Sequence, residues 1–377
     1  MNVTKRIAKL REIMAAKEVE LSIINNFENQ YYYTGYKAII YSRPIVLTVD
    51  TKEINLIVPS LEETNARNES NADKLYVYHE TLKEDGNGGS HIEQLKKLIS
   101  KYPKNIKVGV EFSSMPVLLG NMLKEAGFEL VNIERDLEEM RYIKDQEEID
   151  LITESGRLVS LALKKSLENV RYGITEIEFD QFGTEALFNE VAKKHPNSML
   201  DFFVMSPSGL DRSILPHAFS NTRKFEANEI VIHSRQVGLN GYRAECERTF
   251  FIGTPTEKQR DAFKLAQEAQ AAALDFIKVG VTAKEVNEVA RQIFKKAGVE
   301  EYNLHRTGHG IGIGLHEQPS LRYDNDLILQ EGMVFCVEPG IYIPQVGGFR
   351  HSDTVVLKDD GSHLITEYPR DLDSLIF

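Results

Sequence analysis

Apolar residues recur at helical spacing from the first positions of the chain. In MNVTKRIAKLREIM, Ile7, Leu10, Ile13 and Met14 share one face. This predicts an amphipathic helix docked on a core rather than a targeting segment, because no apolar stretch runs into a cleavage site. From there to about residue 133, helical patterns alternate with short β-rich runs: SIIN, PIVLTV, INLIVP, KLYVYH and KVGVEF. Turn-rich stretches such as KEDGNGGS separate them. The alternation predicts an α/β domain on a mixed sheet.

After ERDLEEMRYIKDQEEID the pattern changes to long helices followed by long strands. The expected organisation is an N-terminal α/β domain over residues 1–133, a linker over 134–143 and a second domain over 144–377. Within the second domain RYGITEIEFDQ, from Arg171, is echoed by KVGVTAKEVNE, from Lys278. Thr175 with Glu178, and Thr282 with Glu285, have the spacing of a capping box, in which hydroxyl and acid each satisfy a free amide at a helix start. The echo predicts a duplicated unit, each half being two helices and a strand ribbon. Helices would then cover one face of the sheet and leave a pocket on the other.

A length of 377 residues suits two domains, and 42% hydrophobic with 27% charged residues is the composition of a folded, soluble protein. The formal charge of −12 argues against a general nucleic-acid binder and favours a small or cationic ligand. Cys246 and Cys336 both stand in apolar runs, which excludes a disulfide framework or a cysteine metal cluster and fits a reducing cytoplasm. No run approaches the ~20 apolar residues of a membrane span.

Four clusters carry candidate chemistry. GYRAECERTFFIG places Glu245 and Glu247 two apart on a strand, hence on one face. They read as metal ligands, as a cradle for a cation, or as a polar row. ILPHAFSN carries His217 after a proline. HRTGHGIGIGLHEQP carries His305, His309 and His316 among four glycines, whose density predicts close backbone approach. His305 reads as a loop surface residue. EGMVFCVEPGIYIPQVGGFRHSDTVVL ends an apolar strand on Glu338, an acid costly to bury unpaired.

TGHGIG with LHEQP, VEPGIY, and GGFR followed two residues later by Asp resemble the pita-bread superfamily of methionine aminopeptidase, aminopeptidase P, prolidase and creatinase. The resemblance runs along the whole chain, since MRYIKDQEEIDLI is similar to the interdomain segment of the aminopeptidase P, prolidase and creatinase branch. It implies an α+β fold: an N-terminal α/β creatinase-type domain followed by an internally duplicated pita-bread domain.

The peptidases of this superfamily hold two metal ions through two aspartates, a histidine and two glutamates, oxygen-rich sets that suit hard divalent ions. Carried over, those positions are Ser234, Glu245, His309, Glu338 and Ser352. A slipped alignment would put His233 in the first. Two ligands are thus serine and one is lengthened. The chain is more similar to creatinase at Glu247-Arg248-Thr249, and also at His217, His309, His316 and Glu338. Creatinase works without metal and holds a planar guanidinium between glutamates.

The leading expectation from this resemblance is a metal-independent, creatinase-like hydrolase cutting a C–N bond of a small guanidino or amidine compound, linear or cyclic. Glu247 and Glu338 would hold the cation, His217 would be the acid/base, and His309 would stabilise charge. Substrate contacts would come from His316, Glu245, Arg243, Arg322 and Arg43. Arg43 is similar to an N-domain arginine that reaches the substrate carboxylate across a dimer interface. Arg322 stands two positions from Ser320, the match of creatinase's second such arginine. The expectation includes no cofactor, a cationic or zwitterionic small-molecule substrate, no nucleic acid or membrane partner, a homodimer and the cytoplasm. Two other readings stay open: an Xaa-Pro aminopeptidase or dipeptidase with an altered Mn, Zn, Fe or Co site of Glu245, His309 and Glu338, and a non-catalytic binding module.

Overall fold

The computed structural model describes residues 2–39, 42–81 and 89–377. Tyr41 of YSRPIVL and most of the KEDGNGGS turn stretch lie outside the described residues. The chain divides into two compact units, Met1–Met140 and Arg141–Phe377.

In the first unit the five β-rich runs become β1 (Val19–Ile24), β2 (Val46–Asp50), β3 (Ile54–Pro59), β4 (Lys74–Tyr78) and β5 (Lys107–Val110). A sixth strand, β6 (Glu129–Asn132), completes a sheet of order β4-β3-β2-β1-β5-β6. The sheet is mixed, as expected. β1 pairs antiparallel with β2 and parallel with β5. Its core joins Leu21, Ile23, Val46 and Ile57 to Leu95, Leu98, Leu119 and Leu123 of the covering helices. The first helix, Val3–Ala16, buries Ile7, Leu10 and Met14, the face its spacing predicted.

The second unit shows the duplication. Helices Gln146–Leu167 and Glu176–Lys194 precede β7 (Leu200–Met205), β8 (Glu229–Leu239) and β9 (Tyr242–Ile252). Helices Glu257–Phe276 and Ala283–Lys296 precede β10 (Gly308–Gly310), β11 (Glu317–Leu321), β12 (Val334–Val337), β13 (Gly340–Ile343), β14 (Gly347–Arg350), β15 (Ser352–Lys358) and β16 (Gly361–Leu364). Both capping boxes form, on Thr175 with Glu178 and on Thr282 with Glu285. Each capping threonine also makes one antiparallel bridge, to Lys224 and Ile328 respectively.

The strands order as β11-β10-β12-β15-β9-β8-β7, with β16 beside β15. β8 and β9 form a hairpin closed by Asn240 and Gly241 at φ +47° and +83°. A two-residue turn with both φ positive follows the right-handed twist of its strands. Glycine is required on β10, because a Cβ at Gly308 would sit 2.1 Å from the carbonyl oxygen of Cys336. The glycines around His309 therefore allow the close backbone approach they predicted.

One face of β8 is tied to the helices. Arg235 Nε donates to His233 Nε2 at 3.0 Å, which leaves His233 Nδ1 to donate to Ser206 Oγ at 2.7 Å. Ser206 in turn donates to Asp180 of helix Glu176–Lys194. His233 also packs edge-on to Phe179 at 4.7 Å. The slipped alignment that made His233 a metal ligand is thereby corrected, since strand alternation turns it to the helix face. Burial pushes Asp180 up to about 6 and Arg235 down to about 10.

A carboxyl raised in the folded state adds stability that is fully present below its unfolded value and is lost as pH rises through about 6. Asp180→Asn has no such proton to gain. Thermal melting should therefore show wild type gaining on Asp180→Asn between pH 7.5 and pH 5. A gap independent of pH would contradict this assignment.

Candidate functional site

On β9 the side chains of Glu245 and Glu247 point away from the helices, while Cys246 and Arg248 face Asp353. The outward face receives four further strands. β8 sets Ser234 opposite Glu247 and Gln236 opposite Glu245, and β15 sets Ser352 opposite Glu247. β10 supplies His309, and Glu338 follows the end of β12. The topology thus gathers three carboxylates and a histidine on one patch of sheet.

Each carboxylate is compensated differently. Glu245 accepts from Gln236 Nε2 and from Ser352 Oγ, both at 2.6 Å. Glu247 is held by the Arg350 fork, with Nη2 to Oε1 at 2.8 Å and Nε to Oε2 at 2.5 Å. Arg350 also donates to Tyr342 Oη at 2.8 Å and to the carbonyl of Pro216 at 3.1 Å, which anchors the loop bearing His217. Among the described residues the nitrogens nearest to Glu338 are His309 Nε2 at 3.5 Å and Arg350 Nε at 3.8 Å. Burial, with Glu245 and Glu247 beside it, holds Glu338 well above the usual carboxylate range.

His309 is fully buried and keeps a neutral ring, because burial disfavours its cation. Its Nδ1 donates to the carbonyl of Gly310 at 2.9 Å, so Nε2 carries a lone pair. That lone pair has no hydrogen-bond partner. It faces Glu338 at 3.5 Å and Glu245 at 3.9 Å, and neither makes a hydrogen bond to it. Lone pairs converge in this way where a cation belongs. The ligand atoms of Glu245, His309 and His316 lie within 4.8 Å of one another, as do those of Glu245, Glu247 and Glu338.

A cleft of about 740 Å³ opens over this patch, lined by His217, His316, Arg306, Tyr323, Glu338 and Arg350 among others. The imidazoles of His309, His316 and His217 step outward, with ring centroids 4.1 Å and then 6.4 Å apart. His316 is held down at about 4 by burial and by His309, so it is neutral at pH 7. Glu317 shapes its loop by accepting from the amides of Ile313 and Gly314 at 2.9 and 2.8 Å. His305, expected on a loop surface, is instead half-buried against Tyr342 Oη at 2.8 Å and lines the cleft.

The remaining predicted contacts lie elsewhere or are engaged. Arg43 belongs to the first unit and pairs with Glu80 at 3.0 Å. Arg243 pairs with Asp201 and donates to the carbonyl of Ile313 at 3.1 Å. Arg322 lines the cleft but its Nε is bound to Asp324 at 2.6 Å. Sequence reasoning missed the role of Arg350. Its signal was an arginine set in the apolar run GGFRHSDTVV, where a charge needs a partner. Gln236 and Glu317 carried no comparable signal.

The fold and the patch define the class: a two-part chain ending in a duplicated pita-bread unit, with carboxylates and a histidine converging on the open face of its sheet. Residues 150–359 match Metallopeptidase family M24, and residues 6–143 match the Creatinase/Prolidase N-terminal domain. The chain belongs to this family, an enzyme family of hydrolases. It is 30% identical over 375 residues to the Xaa-Pro dipeptidase of Pyrococcus furiosus, covering 98% of this chain and 99% of that one. Its fold superposes on the Xaa-Pro dipeptidase of Bacillus anthracis with TM-score 0.85 at 26% identity, over all of both chains. It superposes on the X-Pro aminopeptidase of Thermotoga maritima with TM-score 0.84 at 25% identity, over 98% and 99%.

These findings overturn the creatinase-like, metal-independent amidinohydrolase. The family is one of metallopeptidases, and a relative matched along the whole chain is an Xaa-Pro dipeptidase. The geometry gives a physical reason as well. Glu247, expected to hold a cationic substrate, already holds the guanidinium of Arg350. The absence of a cofactor falls with that reading, because the unpartnered Nε2 of buried His309 between two carboxylates fits a divalent ion. The residues fit one ion rather than two, since Ser234 and Ser352 stand at two of the five positions implied by the resemblance.

Removing one partner of a buried ion pair costs about 3–5 kcal/mol. Glu247→Gln should lower the unfolding free energy by about 3 kcal/mol, Glu338 taking up part of the loss. Urea unfolding measures this, and an unchanged midpoint would show that the pair with Arg350 is not structural.

Proposed function

We propose that the protein is a metal-dependent dipeptidase for Xaa-Pro substrates, with a single divalent ion held by Glu245, His309 and Glu338. The observation that carries this reading is the unpartnered Nε2 of buried His309, aimed between two carboxylates. The names of the relatives support the substrate class. When bound, the ion supplies Lewis-acid polarisation of the peptide carbonyl and stabilises developing negative charge.

The chain's own groups do the rest. Glu338 is the one of the three carboxylates that lines the cleft. With a cation bound it gives up the proton that burial keeps on it, and the resulting carboxylate is placed to take the proton of an attacking water and to deliver it to the leaving nitrogen. A proline nitrogen has no N–H in the peptide and departs as an amine only when protonated. His316, neutral at pH 7, can hydrogen-bond the peptide group, and His217 stands 6.4 Å from it across the cleft mouth. Leu304 and Tyr323, both exposed and both lining the cleft, offer an apolar wall for a pyrrolidine ring.

Among the described residues no helix is long and apolar enough to cross a membrane. The reading includes a cytosolic homodimer in which Arg43 serves a neighbouring subunit; a monomer by light scattering would remove that role.

The function is tested by assaying Xaa-Pro dipeptides with Mn, Zn, Fe or Co added to chelator-treated protein. Metal-restored cleavage is expected. His309→Ala should lose more than the roughly 10–100-fold that follows from losing an outer-shell partner of a metal ligand. No cleavage with any of these ions would sink the reading.

A further inference from the structure

The loop that carries His316 is anchored to the hairpin of β8 and β9 by hydrogen bonds. Arg243 donates its backbone amide to the carbonyl of Gly312 at 2.8 Å and its Nε to the carbonyl of Ile313 at 3.1 Å. Gln236 Nε2 donates to the carbonyl of Leu315, the residue before His316, at 3.1 Å. The same nitrogen donates to Glu245 Oε2 at 2.6 Å. One amide group thus touches both a proposed metal ligand and the loop of a cleft histidine. Gln236 is only 3% exposed, and its Oε1 finds no hydrogen-bond partner among the described residues. A buried acceptor without a donor costs stability. Both amide protons are committed, so the group cannot turn over to satisfy that oxygen without giving up Glu245 and Leu315. The cost is explained by what those two protons hold.

We propose that Gln236 is a positioning residue that couples the ion on Glu245 to the placement of His316. The inference rests on the metal-dependent dipeptidase reading. A ligating carboxylate is oriented by its outer hydrogen bonds, and Gln236 supplies one of those on Glu245 while Ser352 supplies another. Fixing Glu245 on an ion fixes the amide nitrogen, and with it the Leu315 carbonyl and the imidazole that follows. By reciprocity, a loop held in place favours the ion.

Calorimetric titration of metal-free protein with manganese chloride gives the ion affinity, and kcat/KM for Ala-Pro at saturating manganese gives what remains once the site is filled. Gln236→Met should bind manganese about 10- to 100-fold more weakly than wild type, the worth of an outer-shell partner. At saturating manganese it should still lose about 10-fold in kcat/KM, the worth of one hydrogen bond, because His316 is no longer held. His316→Gln should then cost less in the Gln236→Met background than in wild type, since the two side chains act as one. Gln236→Asn keeps an amide but is one methylene shorter; it should show the same losses, smaller, and carries the test if Gln236→Met does not fold. Unchanged ion affinity, full recovery of kcat/KM at saturating manganese, or additive losses with His316→Gln would overturn the assignment.

Hydrogen exchange of the backbone amides across residues 312–318 reads the coupling without any cleavage. Manganese should slow that exchange in wild type and much less in Gln236→Met. If wild type cleaves no Xaa-Pro bond, the dipeptidase reading fails and this comparison judges Gln236 alone. Equal slowing in the two proteins, or none in wild type, overturns it.

Discussion

Three carboxylates converge on the open face of one sheet, and the second unit is organised around compensating their charge. Glu247 is neutralised by the buried fork of Arg350, and Glu245 is stabilised by hydrogen bonds from Gln236 and Ser352. Glu338 is left facing the cleft with a histidine lone pair as its neighbour. Burying acids so close together is costly unless each gains a partner. Among the described residues nothing hydrogen-bonds His309 Nε2, and the proposed ion would sit there. Serine at positions 234 and 352 and a built-in guanidinium at Glu247 reduce the negative charge of the patch, in keeping with the single ion proposed.

The duplicated scaffold makes this arrangement possible. Each half places a capped helix pair on one side of the sheet, and the second strand ribbon carries His309 and Glu338 up to the glutamates of the first. Strand alternation then separates two chemistries within a single strand. His233 and Arg235 face the helices in a buried polar chain ending on Asp180, while Ser234 and Gln236 face the carboxylate patch. The same alternation on β9 sends Arg248 to Asp353 and Glu247 to Arg350.

Much of this was legible in the sequence. Five strands of the first unit appeared as apolar runs, whereas β6 was missed because ELVN is short, polar at both ends and partly exposed. The capping boxes marked the duplication because their chemistry is local, a hydroxyl and an acid three residues apart. The patch residues Glu245, His309 and Glu338 were visible as polar groups in apolar strands, and the structure brings both glutamates within 4 Å of the His309 ring. The function was misread because Glu247, seen alone, suits a cationic ligand. Its actual cation lies 103 residues away, and only tertiary register reveals it.

Anomalous diffraction from crystals of the full chain loaded with manganese tests the charge account most directly. A single peak per subunit, bounded by Glu245, His309 and Glu338, is the predicted result. A second peak beside Ser234 and Ser352, or density at neither position, would contradict it.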